Sequence, residues 1–347
     1  MSGSVFVRSA RASAPTPVRG LLGRGGPGAV ALAVSCALAL TACGSSDDSG
    51  DDKPAASEKA RPKGLVTPQE ANRIVDEYER VNNAANKKQD AKLLHTVEGG
   101  QSWVQSNADY EQFGTRSAKE KKDYTTPFFY RKRTFYIPAG GTWFAMRAES
   151  SNGYPSLVVF DKEGGRFKVV ASVGAKGLPE LYKDADGLAE VADGAAKSGR
   201  LAPEEVAPAY EDLLFTGGTK QGRDLSKETE PAKLLVNSYK KRNEGEVGKV
   251  AYRNFEPIKT SYDKTYALKT KDGGVVAVSG TSYREGISVK LKLVNTTNLV
   301  PNEQQSVYNP DERIVIRDEH QGLLVASLPK QGLPSVEYSE YELTKSD

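Results

Sequence analysis

The strongest limit on what this chain can fold into lies in its first segment. Residues 1–42 contain Arg8, Arg11, Arg19 and Arg24 and no Asp, Glu or Lys, and they end in an apolar run, Ala29 to Ala42, broken only by Ser35 and Thr41. Such a run falls short of the roughly 20 residues that cross a bilayer, but it suits the apolar core of an export signal. The segment is therefore read as targeting sequence, outside the folded body. Of the 2 cysteines, Cys36 lies inside the run and Cys43 directly follows it. The remaining body has no disulfide, thiolate metal site or cysteine nucleophile, and an ordinary apolar core must hold it together.

Leu40, Thr41, Ala42 and Cys43 resemble the lipobox of bacterial lipoproteins. The resemblance implies cleavage before Cys43, a diacylglyceryl group on its sulfur, and a protein held on the extracytoplasmic face of the cell membrane. Each buried methylene of such an anchor contributes about 0.8 kcal/mol, and two chains hold where one is marginal. No Arg-Arg pair precedes the apolar run, which favours the general secretory route. Loss of the four arginines lowers Lys plus Arg from 48 to 44, against 45 Asp plus Glu. The exported chain is then nearly neutral, and no nucleic-acid partner is expected. From Cys43 to Val66 the sequence is Ser-, Asp-, Gly- and Pro-rich, with Asp47, Asp48, Asp51 and Asp52 clustered. It reads as a disordered tether reaching about 25 to 30 Å.

Residues 67–200 and 201–347 read as two α+β domains, each with helices first and an antiparallel sheet after. The cone of helix and curved sheet found in cystatin-like and nuclear-transport-factor-like proteins has this order. Thr67, Pro68 and Glu70 form a capping-box signature, and Ala71, Ile74, Val75, Tyr78, Val81 and Ala85 follow at helical spacing. A second helix is expected over Ala91–Val97, stopped by Gly99 and Gly100, and Ser106–Asp123 shows little pattern. Strands are expected over 127–137, 142–150, 156–161 and 166–173, the last pair joined by a Lys162–Gly165 hairpin. Residues 174–199 read as a linker. Helices are expected over 204–215 and 229–243. Strands follow over 250–257, 265–270, 275–283, 288–294, 313–318, 323–328 and 336–343, and Lys271–Gly274 forms a second Gly-Gly loop. In the 288–294 strand, Val289, Leu291 and Leu293 alternate with Lys290 and Lys292, which predicts one buried face.

The stretch Tyr78–Tyr110, with Val81-Asn82-Asn83-Ala84, Asp90-Ala91-Lys92-Leu93-Leu94 and Thr96-Val97-Glu98-Gly99-Gly100, is similar to the start of an actinobacterial lipoprotein family of unknown function. Tyr266–Val278, with its Ala-Leu-Lys-Thr-Lys-Asp-Gly-Gly, resembles that family's C-terminal half. The resemblance implies a location and carries no activity.

Residues suited to catalysis are sparse. The only histidines are His95 and His320, the second in what reads as a hairpin turn, and neither sits in a metal-ligand pattern. Ser238 and Lys241 have the Ser-x-x-Lys spacing of penicillin-recognising enzymes without the accompanying Lys-Thr-Gly strand, and they read as the solvated end of a helix. The aromatic and basic residues of Phe128–Tyr136 alternate as a strand would, with Arg131 and Arg133 on one face. No catalytic, metal or cofactor site is expected. The leading functional reading is a non-catalytic module that binds a small ligand or an envelope protein. A nuclear-transport-factor-like enzyme using Asp109, Glu149, Glu256 or Glu285 and a plain structural spacer are the alternatives, and oligomeric state is left open.

Replacing the lipid-bearing sulfur tests the anchor. Cys43→Ser is expected to release the protein from the membrane fraction or leave it as uncleaved precursor, and to abolish palmitate labelling. Unchanged fractionation and labelling would refute the lipobox reading.

Overall fold

A computed structural model describes residues 64–347. Leu40, Thr41, Ala42, Cys43 and most of the expected tether lie outside the described residues. The folded body starts slightly before Thr67, because Leu65 N–H donates to Pro138 O at 2.8 Å and Leu65 and Val66 pack on the core.

Helix α1 (Pro68–Asn86) starts at a true capping box, with Glu70 N–H donating to Thr67 Oγ1 and Thr67 N–H to Glu70 Oε2. It buries Ala71, Val75, Tyr78, Val81, Asn82 and Ala85. A single turn, α2 (Ala91–Leu94), follows, capped by Asp90. Gly99 and Gly100 do not end the helical region as expected: α3 (Gly100–Glu111) begins there, and α4 (Ala118–Thr125) follows. The helix α3 escaped notice because the face it buries is polar, with Gln101, Ser102, Gln105, Ser106 and Asp109 all buried. Gln101 Nε2 donates to Gln321 Oε1 at 3.2 Å, and Gln112 Nε2 donates to Leu343 O at 2.6 Å. These bonds satisfy part of that polar face, while Ser102 Oγ and Gln105 Oε1 make no hydrogen bond to another described residue.

Strands β1 (Tyr130–Tyr136), β2 (Trp143–Ser150), β3 (Pro155–Glu163) and β4 (Arg166–Gly174) form an antiparallel meander in that order. A bulge between Arg131 and Thr134, with Lys132 at φ +51°, separates the two arginines expected on one face. Arg131 lies over the Phe129 ring, whereas Arg133 turns to Asp76 and Glu79 of α1, at 2.6 and 2.7 Å.

Residues 175–202 form a packed strap rather than a free linker. Leu178, Leu181, Ala189 and Ala192 are buried, and isolated bridges join Leu181 to Thr270 and Val191 to Leu268. The C-terminal half continues through α5 (Val206–Phe215), α6 (Glu230–Lys241), α7 (Gly245–Val250), β5 (Ala251–Glu256), β6 (Thr265–Lys269), β7 (Val275–Val289), α8 (Glu303–Tyr308), β8 (Val315–Leu328) and β9 (Ser335–Ser346). The second sheet runs β5-β7-β8-β9, with β6 pairing the other end of β7. The strand expected over 288–294 stops at Val289. Beyond that point no strand among the described residues pairs with it, because β8 begins at Val315, and Leu291–Leu293 forms a short 3-10 turn with Leu291 87% exposed. The two short strands expected over 313–318 and 323–328 are one. His320, expected in a turn, is in the middle of β8 opposite Tyr283.

The architecture is α+β, and its layers follow from three apolar clusters. One face of the first sheet packs Phe144, Met146, Val158 and Phe160 against α1. Its other face packs Ala145, Leu157, Val159 and Val170 against Tyr266, Val276, Val278, Leu323 and Val325 of the second sheet. The far face of the second sheet packs Ala277, Leu324 and Ala326 against Tyr210, Leu213 and Leu235 of α5 and α6. A fully buried carboxylate, Asp161 of β3, joins the sheets: its Oδ2 accepts from Tyr266 OH at 2.7 Å and from Lys264 Nζ at 2.9 Å. Burial alone would raise its pKa, but bonds from Lys264, Thr142 and Tyr266 hold the carboxyl below the usual range.

The two Gly-Gly loops need glycine for different reasons. Gly165 has φ +81°, whereas Gly274 has ordinary backbone, and a Cβ there would lie 2.6 Å from Leu328 O. Gly165→Val and Gly274→Val are each expected to cost about 1–3 kcal/mol of folding stability. Gly140→Val, where a Cβ meets nothing within 4 Å, should be near neutral. Urea unfolding of the three variants checks this, and equal midpoints would refute the loop geometry.

Candidate ligand cavity and a buried polar cluster

A cavity of about 250 Å³ opens where α1, the first sheet and β9 meet. The chain builds its walls from both halves. Tyr78 and Asn82 project from α1 one turn apart, Glu98 comes from the segment that pairs with Val169 at the edge of β4, and Tyr338 and Glu340 share one face of β9. Phe128, Tyr130, Tyr124 and Tyr154 add aromatic surface, and Ser156 and Ser172 add hydroxyls. The Tyr78 and Phe128 rings meet edge to face at 6.1 Å, as do those of Phe128 and Tyr130 at 5.3 Å, the arrangement that ring quadrupoles favour.

Two carboxylates are buried in this wall, Glu98 at 2% and Glu340 at 8% exposure. Tyr78 OH donates to Glu98 Oε1 at 2.9 Å, and Tyr338 OH donates to Glu340 Oε2 at 2.8 Å. Asn82 is 4% exposed and lines the cavity, and its side-chain amide makes no hydrogen bond to another described residue. A buried amide left without partners is costly.

A second group of polar residues lies on the other face of the second sheet, beneath α5. Glu211 of α5 accepts from Thr281 Oγ1 at 3.0 Å and from Ser282 N–H at 2.9 Å, and burial raises its pKa to about 7. Tyr283 stacks on His320 with ring centres 4.6 Å apart. Glu285 pairs with Arg253 at 2.7 Å, and Asp318 accepts from Gln305 Nε2 at 2.5 Å. The His320 residue is half-buried, but its ring Nε2 is shielded and without a partner, and burial drives its pKa down to about 4. Ligand atoms of Glu285, Asp318 and His320 lie within 4.8 Å of one another. The Arg253 guanidinium already supplies positive charge to this pair of carboxylates, so the cluster reads as an internal ion network.

The sequence candidates are dispersed. His95 sits exposed at the end of α2 against Trp103, at 4.5 Å between ring centres. Ser238 and Lys241 occupy the last turn of α6, with Lys241 in solvent. Asp109 pairs with Arg116, Glu149 pairs with Lys132, and Glu256 accepts from Asn254. Only Glu285 and His320 come together, and neither lines the cavity. Sequence reasoning missed Glu98 and Glu340. The signal for Glu340 was a charged residue at an inward position of a strand, and for Glu98 a carboxylate directly before a Gly-Gly pair.

The raised pKa of Glu211 has a stability consequence. The folded chain holds a proton there that the unfolded chain has released, so between about pH 4.5 and 7 this group's contribution falls as pH rises. His320 acts in the opposite sense, losing stability as pH falls from 6.5 towards 4. Glu211→Gln isolates the first effect: its melting temperature relative to wild type is expected to rise steadily from pH 5 to pH 8. A difference independent of pH would refute the buried-acid assignment.

Residues 62–346 match the model of a family described as a domain of unknown function, DUF8094. An uncharacterized lipoprotein of Streptomyces coelicolor, SCO6871, is 29% identical over 256 residues, covering 69% of this chain and 71% of the relative. Among the described residues no helix is long and apolar enough to cross a membrane. Because the family match spans nearly all of the folded body, including every wall of the cavity, the chain belongs to the DUF8094 family.

Proposed function

We propose that this chain is a lipid-anchored, extracytoplasmic binding protein without catalytic activity, and that its ligand is a small molecule held in the 250 Å³ cavity. The anchor rests on the lipobox at Leu40–Cys43 and on the name of the Streptomyces relative, which is a lipoprotein. The observation carrying the binding reading is Asn82, a buried amide on the cavity wall with no hydrogen-bond partner among the described residues. Concave sites that combine aromatic surface with a few convergent polar groups are the usual form of small-molecule sites. The cavity supplies acceptors, hydroxyls and aromatic faces. Among the described residues its wall holds no histidine, lysine or cysteine, residue types on which nucleophilic and general-base mechanisms commonly depend.

Filling the cavity tests the reading. Ser156, half-buried on the wall, is replaced by Trp, and both proteins are purified from the producing cell and examined by native mass spectrometry. Wild type is expected to carry a small molecule that Ser156→Trp lacks while keeping its circular dichroism spectrum. Equal retention by the two folded proteins, or no bound molecule in wild type even after incubation with a cell extract, would overturn the proposal.

A further inference from the structure

We infer that a second site, separate from the cavity above, binds a phosphate-bearing anion: the open depression of about 430 Å³ between the end of the strap and the loop that follows α5. Lys197 and Arg200 line it from the strap, and Lys220 and Arg223 from the loop, against two carboxylates, Glu205 and Asp224. Both carboxylates are already engaged. Glu205 Oε2 accepts from Ala202 N–H at 2.8 Å, and Asp224 lies 3.5 Å from Arg223 and 4.0 Å from Arg200. Among the described residues the ammonium groups of Lys197 and Lys220 have neither an ion pair nor a hydrogen bond. A space of this size is about one Debye length across, roughly 8 Å, so the four cations repel one another. The chain as a whole is nearly balanced, and the excess of positive charge is local to this depression.

Solitary lysines on a surface are ordinary, but these stand on backbone that is fixed from below. Asp212 of α5 is 6% exposed, and its carboxylate accepts from Thr216 Oγ1 at 2.7 Å, Lys220 N–H at 2.9 Å and Gly222 N–H at 3.0 Å. The loop turns on Gly217 and Gly218, at φ +75° and +74°, and Lys227 Nζ donates to both of their carbonyls. On the opposite rim Ser198 Oγ donates to Leu328 O and Pro329 O, both at 3.1 Å, and a Cβ on Gly199 would lie 2.7 Å from Gly332 O. Cations held together on ordered backbone form a preorganised anion site. Thr219 and Gln221 add neutral donors. Guanidinium forks match phosphate oxygens, and a tetrahedral anion faces both rims at once, whereas one fork satisfies a planar carboxylate. Among the described residues the lining has no aromatic ring on which a nucleobase would stack. The space exceeds a lone ion, which suits a phosphate ester or diester of a small polar group.

Isothermal titration of the purified protein at low ionic strength compares pyrophosphate, glycerophosphoglycerol (the deacylated headgroup of an anionic lipid) and a tetra-aspartate peptide. Saturable binding of a phosphate compound is expected, at least about tenfold tighter than that of the peptide. Lys197→Gln combined with Lys220→Gln is expected to weaken it about tenfold or more. Both side chains are exposed, so the melting temperature should not change. Lys119→Gln combined with Lys122→Gln removes the same charge from exposed positions of α4 and should leave the affinity nearly unchanged. Tighter binding of pyrophosphate assigns the site to free phosphate esters, and tighter binding of the glycerol diester assigns it to lipid headgroups; either result supports the inference. No saturable binding of either phosphate compound, peptide binding as tight as theirs, or equal losses in the two double variants would overturn it, whatever the Ser156→Trp comparison shows.

Discussion

Everything in this structure depends on the face-to-face packing of the two sheets. Leu157, Val159 and Val170 from one sheet meet Val276, Val278, Leu323 and Val325 from the other, while helices cover the outer face of each. The central strands are therefore buried on both sides, and runs such as Leu157-Val158-Val159-Phe160 and Leu323-Leu324-Val325-Ala326 are apolar without alternation. A strand that alternates can leave one face in water; these cannot. Separating the sheets would expose an apolar layer together with Asp161, whose bonds to Tyr266 and Lys264 come from the opposite half.

That double burial explains what could be read from the sequence and what could not. The α1 capping box, the four strands of the first sheet and the Gly164-Gly165 hairpin are local patterns, and they were legible because each is set by neighbours in the chain. Residues whose state depends on distant partners were not. Val289, Leu291 and Leu293 alternate like a strand, yet among the described residues no strand lies beside Leu291 to pair with it. His320, flanked by Asp318, Glu319 and Gln321, looked like a turn, but it is enclosed by Tyr283 and the long β7–β8 ladder. The helix α3 showed no apolar pattern because it buries a polar face, whose partners, Gln321 and the Leu343 carbonyl, lie more than two hundred residues away. The cavity suffers the same limit: Tyr78 and Tyr338 become neighbours only once the sheets have docked.

The seam between the halves is consequently uneven. Over most of its area it is apolar, but α3 carries amides into it and the cavity opens at its rim, where Gly174 lets the Tyr338 ring approach within 2.8 Å of its absent Cβ. A site assembled from both sides of such a seam exists only while the halves remain docked. A ligand occupying it adds its binding free energy to that docking, about 2.7 kcal/mol when present at a hundred times its dissociation constant.

The strap at residues 175–202 has a consequence for how copies of this chain behave towards one another. Tyr182 N–H donates to Lys269 O, Lys269 N–H donates to Glu190 O, and Ala192 N–H donates to Ala267 O, so the outer backbone groups of β6 are already taken. At the first sheet the bulge at Lys132 interrupts the free side of β1 with a run of cationic side chains, and the 97–99 segment occupies the outer side of β4 through Val169. Exposed strand edges are templates on which a second molecule can continue the ladder, and crowding at a surface raises the chance of such growth. By spending chain length and charge on these borders, the fold blunts the edges at β1, β4 and β6.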